Sequence, residues 1–104
     1  MADPEFHAVA TLAELPPEST RAVEVGGRSI LLCHSLDRIF AVENQCTHAQ
    51  QPLEGGRLRR GMLMCPFHGA RFDLETGEPL GPPATERLAT FTVRIVGETI
   101  EVAL

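Results

Sequence analysis

Two short cysteine–histidine motifs stand sixteen residues apart in the middle of the chain: Cys46-Thr47-His48 and Cys65-Pro66-Phe67-His68. This pattern, C-x-H, x16, C-x2-H, restricts the fold more than any other feature. Thiolates and neutral imidazoles are borderline-soft donors, suited to zinc or to an iron–sulfur cluster. To share one site, two tight loops must lie side by side, each supplying one sulfur and one nitrogen. Gly55-Gly56 and Gly61, between the motifs, allow a hairpin that folds the loops together, and Gly69 and Gly77 flank the second half. The usual zinc-finger order of a Cys pair followed by a His pair does not match this interleaving. An odd count of three cysteines also speaks for ligation or a buried thiol and against a disulfide framework.

Around the motifs the sequence reads as short strands. Phe6 to Ala10 is a first strand, and Leu15-Pro16-Pro17-Glu18 a loop. Arg21 to Val25 alternates into Gly26-Gly27, a hairpin turn that tolerates positive φ, and Arg28 to His34 follows. The apolar run inside Arg28 to His34 predicts burial on both faces. Ser35-Leu36-Asp37 turns the chain into Arg38 to Glu43. At the far end Phe91, Val93 and Ile95 share one side, Gly97-Glu98 turns, and Ile100, Val102 and Leu104 repeat the alternation. No window predicts an amphipathic helix. The expected fold class is all-β: a small antiparallel β sandwich with an irregular, Gly- and Pro-rich insert over about 44–81. An insert of that composition in a small domain usually holds something.

The 104 residues predict a single domain over 1–104. Fourteen acids against nine bases, all Arg, give a net charge of −5. That balance disfavours nucleic acid and anionic membranes and suits a protein steered toward a basic partner. The run Ile30-Leu31-Leu32-Cys33 is far too short to span a bilayer. No secretory signal is apparent, so a cytoplasmic location is expected. Residues 1–6 read equally as a natural start or a cloning scar.

From about Arg21 to Leu104 the chain resembles the Rieske family, and within it the small Rieske-type ferredoxins of bacterial ring-hydroxylating oxygenases. The resemblance rests on Cys46-Thr47-His48, on Cys65-Pro66-Phe67-His68-Gly69, on Phe72-Asp73 with Thr76-Gly77, and on Gly81-Pro82-Pro83-Ala84. It implies a Rieske-type fold whose inserted subdomain binds one 2Fe–2S cluster. In that likeness Cys46 and Cys65 ligate the inner iron, and His48 and His68 the outer one. Pro82-Pro83 would cover the cluster.

Charge arithmetic says why such a site uses histidine. Two thiolates neutralise the oxidised core, whereas four would leave it an anion, and a neutral site takes an electron more readily. Rieske centres accordingly span roughly −150 to +300 mV against about −400 mV for plant-type four-Cys ferredoxins. High-potential relatives place hydroxyl donors where this chain has Ala70 and Phe72, and a disulfide where it has Gln51 and Phe67. A low-potential centre is expected.

The remaining candidates read as structural. Cys33 sits in an apolar strand, and His7 and His34 have no partner pattern. For Arg57, Arg59 and Arg60 a solvated turn is the default and a docking contact the alternative. Pro52, Leu53, Phe67 and Pro83 are expected to form a dry contact around the outer histidines. No second iron site, catalytic triad, P-loop or dinucleotide fingerprint is present, so no catalysis by the chain alone is expected. The resemblance implies a monomeric electron carrier between an NAD(P)H-dependent flavoprotein reductase and a terminal oxygenase acting on an aromatic compound. The small subunit of a nitrite-reductase-type enzyme and a redox sensor are the alternatives.

Overall fold

The computed structural model describes residues 5–47, 51–67, 69–82 and 85–104. The strands follow the alternation of the sequence: β1 (Phe6–Thr11), β2 (Ser19–Val25), β3 (Arg28–Ser35), β4 (Arg38–Glu43), β5 (Arg57–Arg59), β6 (Met62–Met64), β7 (Arg71–Asp73), β8 (Thr90–Val96) and β9 (Thr99–Ala103). One 3₁₀ turn, Leu12–Glu14, links β1 to the loop before β2. The β2–β3 turn at Gly26-Gly27 has positive φ at both central residues, as expected. The β3–β4 turn uses the same left-handed geometry at Leu36 and Asp37 without a glycine.

Six strands form an antiparallel sheet in the order β1-β9-β8-β4-β3-β2. It bends where β4 meets β8, which pair only at Ala41↔Phe91 and Val42↔Thr90. Past that corner the outermost strands face each other across one core. Val9 and Ala10 of β1 and Val25 of β2 pack with Leu15, Ile30, Leu32, Ala41, Ile100 and Val102. This is the expected antiparallel sandwich. On the side shared by Phe91, Val93 and Ile95, the first two are half-buried against this core, while Ile95 near the end of β8 is exposed.

The β3–β4 hairpin is buried on both faces because it separates two cores. Ile30, Leu32 and Ala41 point into the sandwich, while Leu31, Cys33, Phe40 and Val42 point into a second cluster under the insert. The period-2 geometry of a strand makes this division automatic.

The insert is more regular than the sequence suggests. β5, β6 and β7 form their own three-stranded antiparallel sheet, in register Arg57↔Met64↔Arg71, Leu58↔Leu63↔Phe72 and Arg59↔Met62↔Asp73. Its middle row packs down onto the second core. Strands of three residues are too short to display alternation, which is why the segment reads as irregular. Ser35, the buried polar residue at the end of β3, fastens this small sheet to the larger one: its Oγ accepts the Gly61 N–H at 3.0 Å in the β5–β6 turn. Gly56 permits close approach, since a Cβ there would stand 2.4 Å from the Met64 carbonyl oxygen.

Candidate metal centre

Both cysteine loops are extensions of strands. β4 ends at Glu43, and Asn44 opens the first loop with its N–H donated to the Ser29 carbonyl at 3.0 Å. β6 ends at Met64 and passes directly into Cys65, and β7 starts at Arg71. Each loop is closed in the same way. The Cys46 N–H donates to the Gln51 carbonyl and the Cys65 N–H to the Ala70 carbonyl, both at 2.7 Å and both spanning five residues. Two segments without sequence repetition thus adopt matching closures. In the second loop the Gly69 N–H returns to the Cys65 carbonyl at 3.2 Å.

The two cysteines belong to one buried cluster with Leu53, Leu63, Ala70, Phe72 and Leu74, and are 0% and 2% exposed. Cys33 lies in the same cluster from below, on β3, where burial pushes its thiol up to about 12. It is a core residue, as the sequence suggests. His34 is structural too: its Nδ1 donates to the Leu15 carbonyl at 2.8 Å. His48, His68 and Pro83 lie outside the described residues. Among the described residues, no group of three or more metal-ligating side chains comes together.

Residues that sequence reasoning passed over hold the loops in place. The Asn44 Oδ1 accepts the Leu53 and Glu54 N–H groups at 2.9 and 3.0 Å, and its Nδ2 donates to Ser29 Oγ at 3.1 Å. Thr47 Oγ1 donates to the Glu86 carbonyl at 2.8 Å, tying the first loop to the segment before β8. Arg71 Nη2 donates to the Leu80 carbonyl at 3.2 Å, tying β7 to the chain that leads into Gly81-Pro82. An Asn just past the end of a strand often bridges to loop backbone through its side chain, so only Asn44 carried a usable signal. Of the apolar collar, Pro52 and Phe67 are exposed, Phe67 by 54%. Leu53 is not part of it: it is fully buried in the second core, because the Asn44 bridge turns that segment inward.

Two buried thiols thus lie in one cluster, each at the start of a loop closed by the same five-residue hydrogen bond on a β frame. The donor chemistry fits an iron–sulfur cluster, with soft sulfur donors in a water-excluding surround. Residues 5–92 match the family model described as Rieske [2Fe-2S] domain, and the chain belongs to that family. Its cofactor is one Rieske-type 2Fe–2S cluster. The chain is 34% identical to the ferredoxin component of the naphthalene 1,2-dioxygenase system of Pseudomonas aeruginosa, across 100% of this chain and 99% of that protein. Among solved structures it is similar to the ferredoxin of carbazole 1,9a-dioxygenase from Nocardioides aromaticivorans IC177, with a TM-score of 0.89 and 32% identity over 94% of this chain and 96% of the other. It is also similar to a chain in a complex of reduced oxygenase and oxidized ferredoxin of carbazole 1,9a-dioxygenase, with a TM-score of 0.88 and 30% identity over 97% and 94% of the two chains.

Proposed function

We propose that this chain is a soluble, cytoplasmic electron carrier of a multicomponent aromatic-ring oxygenase. It accepts single electrons from an NAD(P)H-dependent flavoprotein reductase and delivers them to a terminal oxygenase. The observation that carries this reading is the pair of matched loops, which bury Cys46 and Cys65 together while His48 and His68 follow two and three residues behind them in sequence. Full-length likeness to ferredoxin components supports it.

In this reading Cys46 and Cys65 hold the inner iron and His48 and His68 the outer one. The cluster, when bound, supplies one-electron oxidation and reduction. The chain's own residues do the rest. The buried surround of Leu53, Leu63, Phe72 and Leu74 keeps water from the thiolates. The loop closures hold the backbone at both cysteines, with each Cys N–H bonded five residues on. Exposed Pro52 and Phe67 offer a small apolar contact beside the site. A contact below about 1,200 Å² is typical of transient redox encounters and lets a carrier leave after each visit.

Cluster content of the purified protein tests the ligand assignment. His68→Ala and Cys65→Ala are expected to abolish the visible absorption and the electron paramagnetic resonance of the reduced cluster. Normal spectra in either variant overturn the assignment.

A further inference from the structure

The nine arginines divide into two groups. The five outside the insert are engaged within the chain. Arg21 pairs with Glu14, Arg38 with Glu75, Arg87 with Glu78 and Arg94 with Glu101, while the Arg28 guanidinium lies over the Phe91 ring. For the four in the insert, no carboxylate among the described residues lies within ion-pair distance of Arg57, Arg59, Arg60 or Arg71. Residues 44–81 hold four acids and four bases, so the whole net charge of −5 resides in the rest of the chain.

The register of the small sheet gathers three of these cations on one face. Arg57, Met64 and Arg71 stand directly opposite one another in one row, and Arg59 opposite Met62 in another. Opposed residues share a face, and the intervening row of Leu58, Leu63 and Phe72 is the one packed inward. The outer face therefore presents exposed Arg57, Arg59 and Arg71 around half-buried Met62 and Met64. Asp73 shares this face, where its Oδ1 accepts the Glu75 and Thr76 N–H groups; three Arg against this one carboxylate leave the face net cationic. The face also adjoins the second loop. Met64 immediately precedes Cys65, and Arg71 follows Ala70, whose carbonyl closes the loop.

We propose that the outer face of β5–β6–β7 is the docking surface for a protein redox partner that presents carboxylates beside its own redox centre. The proposal rests on the carrier reading above. Clustered guanidinium groups without carboxylate partners repel one another in the free protein, and an acidic surface relieves that repulsion. Met and Arg are interface-enriched residues, and flexible Met side chains adapt to more than one surface. A negative frame with a cationic face beside the cluster also orients the encounter, so that collision brings the electron donor and acceptor ends together.

Gold electrodes coated with carboxylate-terminated alkanethiols provide the probe, with the cluster-loaded protein read by voltammetry. Wild-type protein is expected to adsorb at low ionic strength, give a reversible wave, and desorb as salt screens the contact. Arg57→Glu with Arg59→Glu is expected to lower electroactive coverage at least tenfold, and Arg57→Gln with Arg59→Gln less. The visible spectrum and the wave on bare graphite should be unchanged in both. Arg21→Glu with Arg28→Glu, an equal charge change on the frame, is expected to have little effect. Equal losses from both charge reversals, or none from the first, overturn the docking face. Binding to phosphatidylserine vesicles that depends on Arg57 and Arg59 assigns the face to a membrane and also overturns it. Failure of wild-type protein to give any wave on bare graphite sinks the carrier reading instead.

Discussion

The Asn44 side-chain carbonyl accepts the Leu53 N–H at 2.9 Å, closing a nine-residue span that contains the first cysteine loop. The same oxygen takes the Glu54 N–H, and the amide nitrogen reaches Ser29 on β3. One side chain thus fastens the return of the loop to the sheet beneath it. Asn44→Ala leaves two backbone donors without their acceptor, one of them partly buried, and is expected to cost about 2 kcal/mol. Asn44→Asp keeps both acceptances and should cost less than half as much. Denaturant midpoints at constant m-value check this order. Equal losses in the two variants would show that the Ser29 contact matters most.

Gly77 and Gly27 share a φ of +80° but differ in what surrounds them. A Cβ at Gly77 would meet the Leu88 carbonyl oxygen at 2.2 Å, whereas nothing stands within 4 Å at Gly27. The Leu88 N–H also donates to the Gly77 carbonyl at 2.8 Å, so the two segments cannot part without breaking that bond. Gly27→Ala is expected to cost only the left-handed backbone term, about 1 kcal/mol. Gly77→Ala adds a clash with backbone and should cost 3 kcal/mol or more. Thermal unfolding of the two variants side by side measures the difference.

Cys33 makes the alkaline stability of this chain legible. With no Lys and no Tyr, few other groups titrate between pH 9 and 12. Burial pushes the Cys33 thiol up to about 12, so the folded state keeps its proton where the unfolded state releases one. The unfolded chain then binds fewer protons, and stability falls as pH rises above about 9, by at most about 1.4 kcal/mol per pH unit. Cys33→Ala removes this slope even though it lowers stability at neutral pH. Unfolding free energies at pH 8, 9.5 and 10.5 provide the test. Iodoacetamide should leave Cys33 unlabelled in the native protein.

Ala70 and Phe72 are fully buried beside Cys65 and carry no hydroxyl. A hydroxyl bond to a cluster sulfur worth ~1.4 kcal/mol corresponds to about 59 mV for one electron. Ala70→Ser with Phe72→Tyr is therefore expected to raise the midpoint potential by on the order of 100 mV. Voltammetry of the double variant beside the wild type decides it. An unchanged potential means that neither hydroxyl reaches the cluster.

Much of the sandwich was legible because its strands are long enough to alternate. The run Ile30-Leu31-Leu32-Cys33 announced burial on both faces, and the structure supplies a core on each side of it. Gly26-Gly27 marked its hairpin. The β5–β7 sheet was not legible, because three residues show no period. The inward turn of Leu53 was missed because it depends on a hydrogen bond from a side chain nine residues away.

From the sequence alone came the cluster chemistry and the succession of the sandwich strands along the chain. Both are local: ligand type and spacing are written in adjacent residues, and alternation reflects the pleat of each strand. The tertiary structure decided which cysteines share a buried site with Cys33 beneath them, and which arginines go without a carboxylate among the described residues. Those outcomes depend on cross-strand register and loop closure between distant residues, as in the row Arg57–Met64–Arg71. No stretch of the chain read by itself contains that pairing.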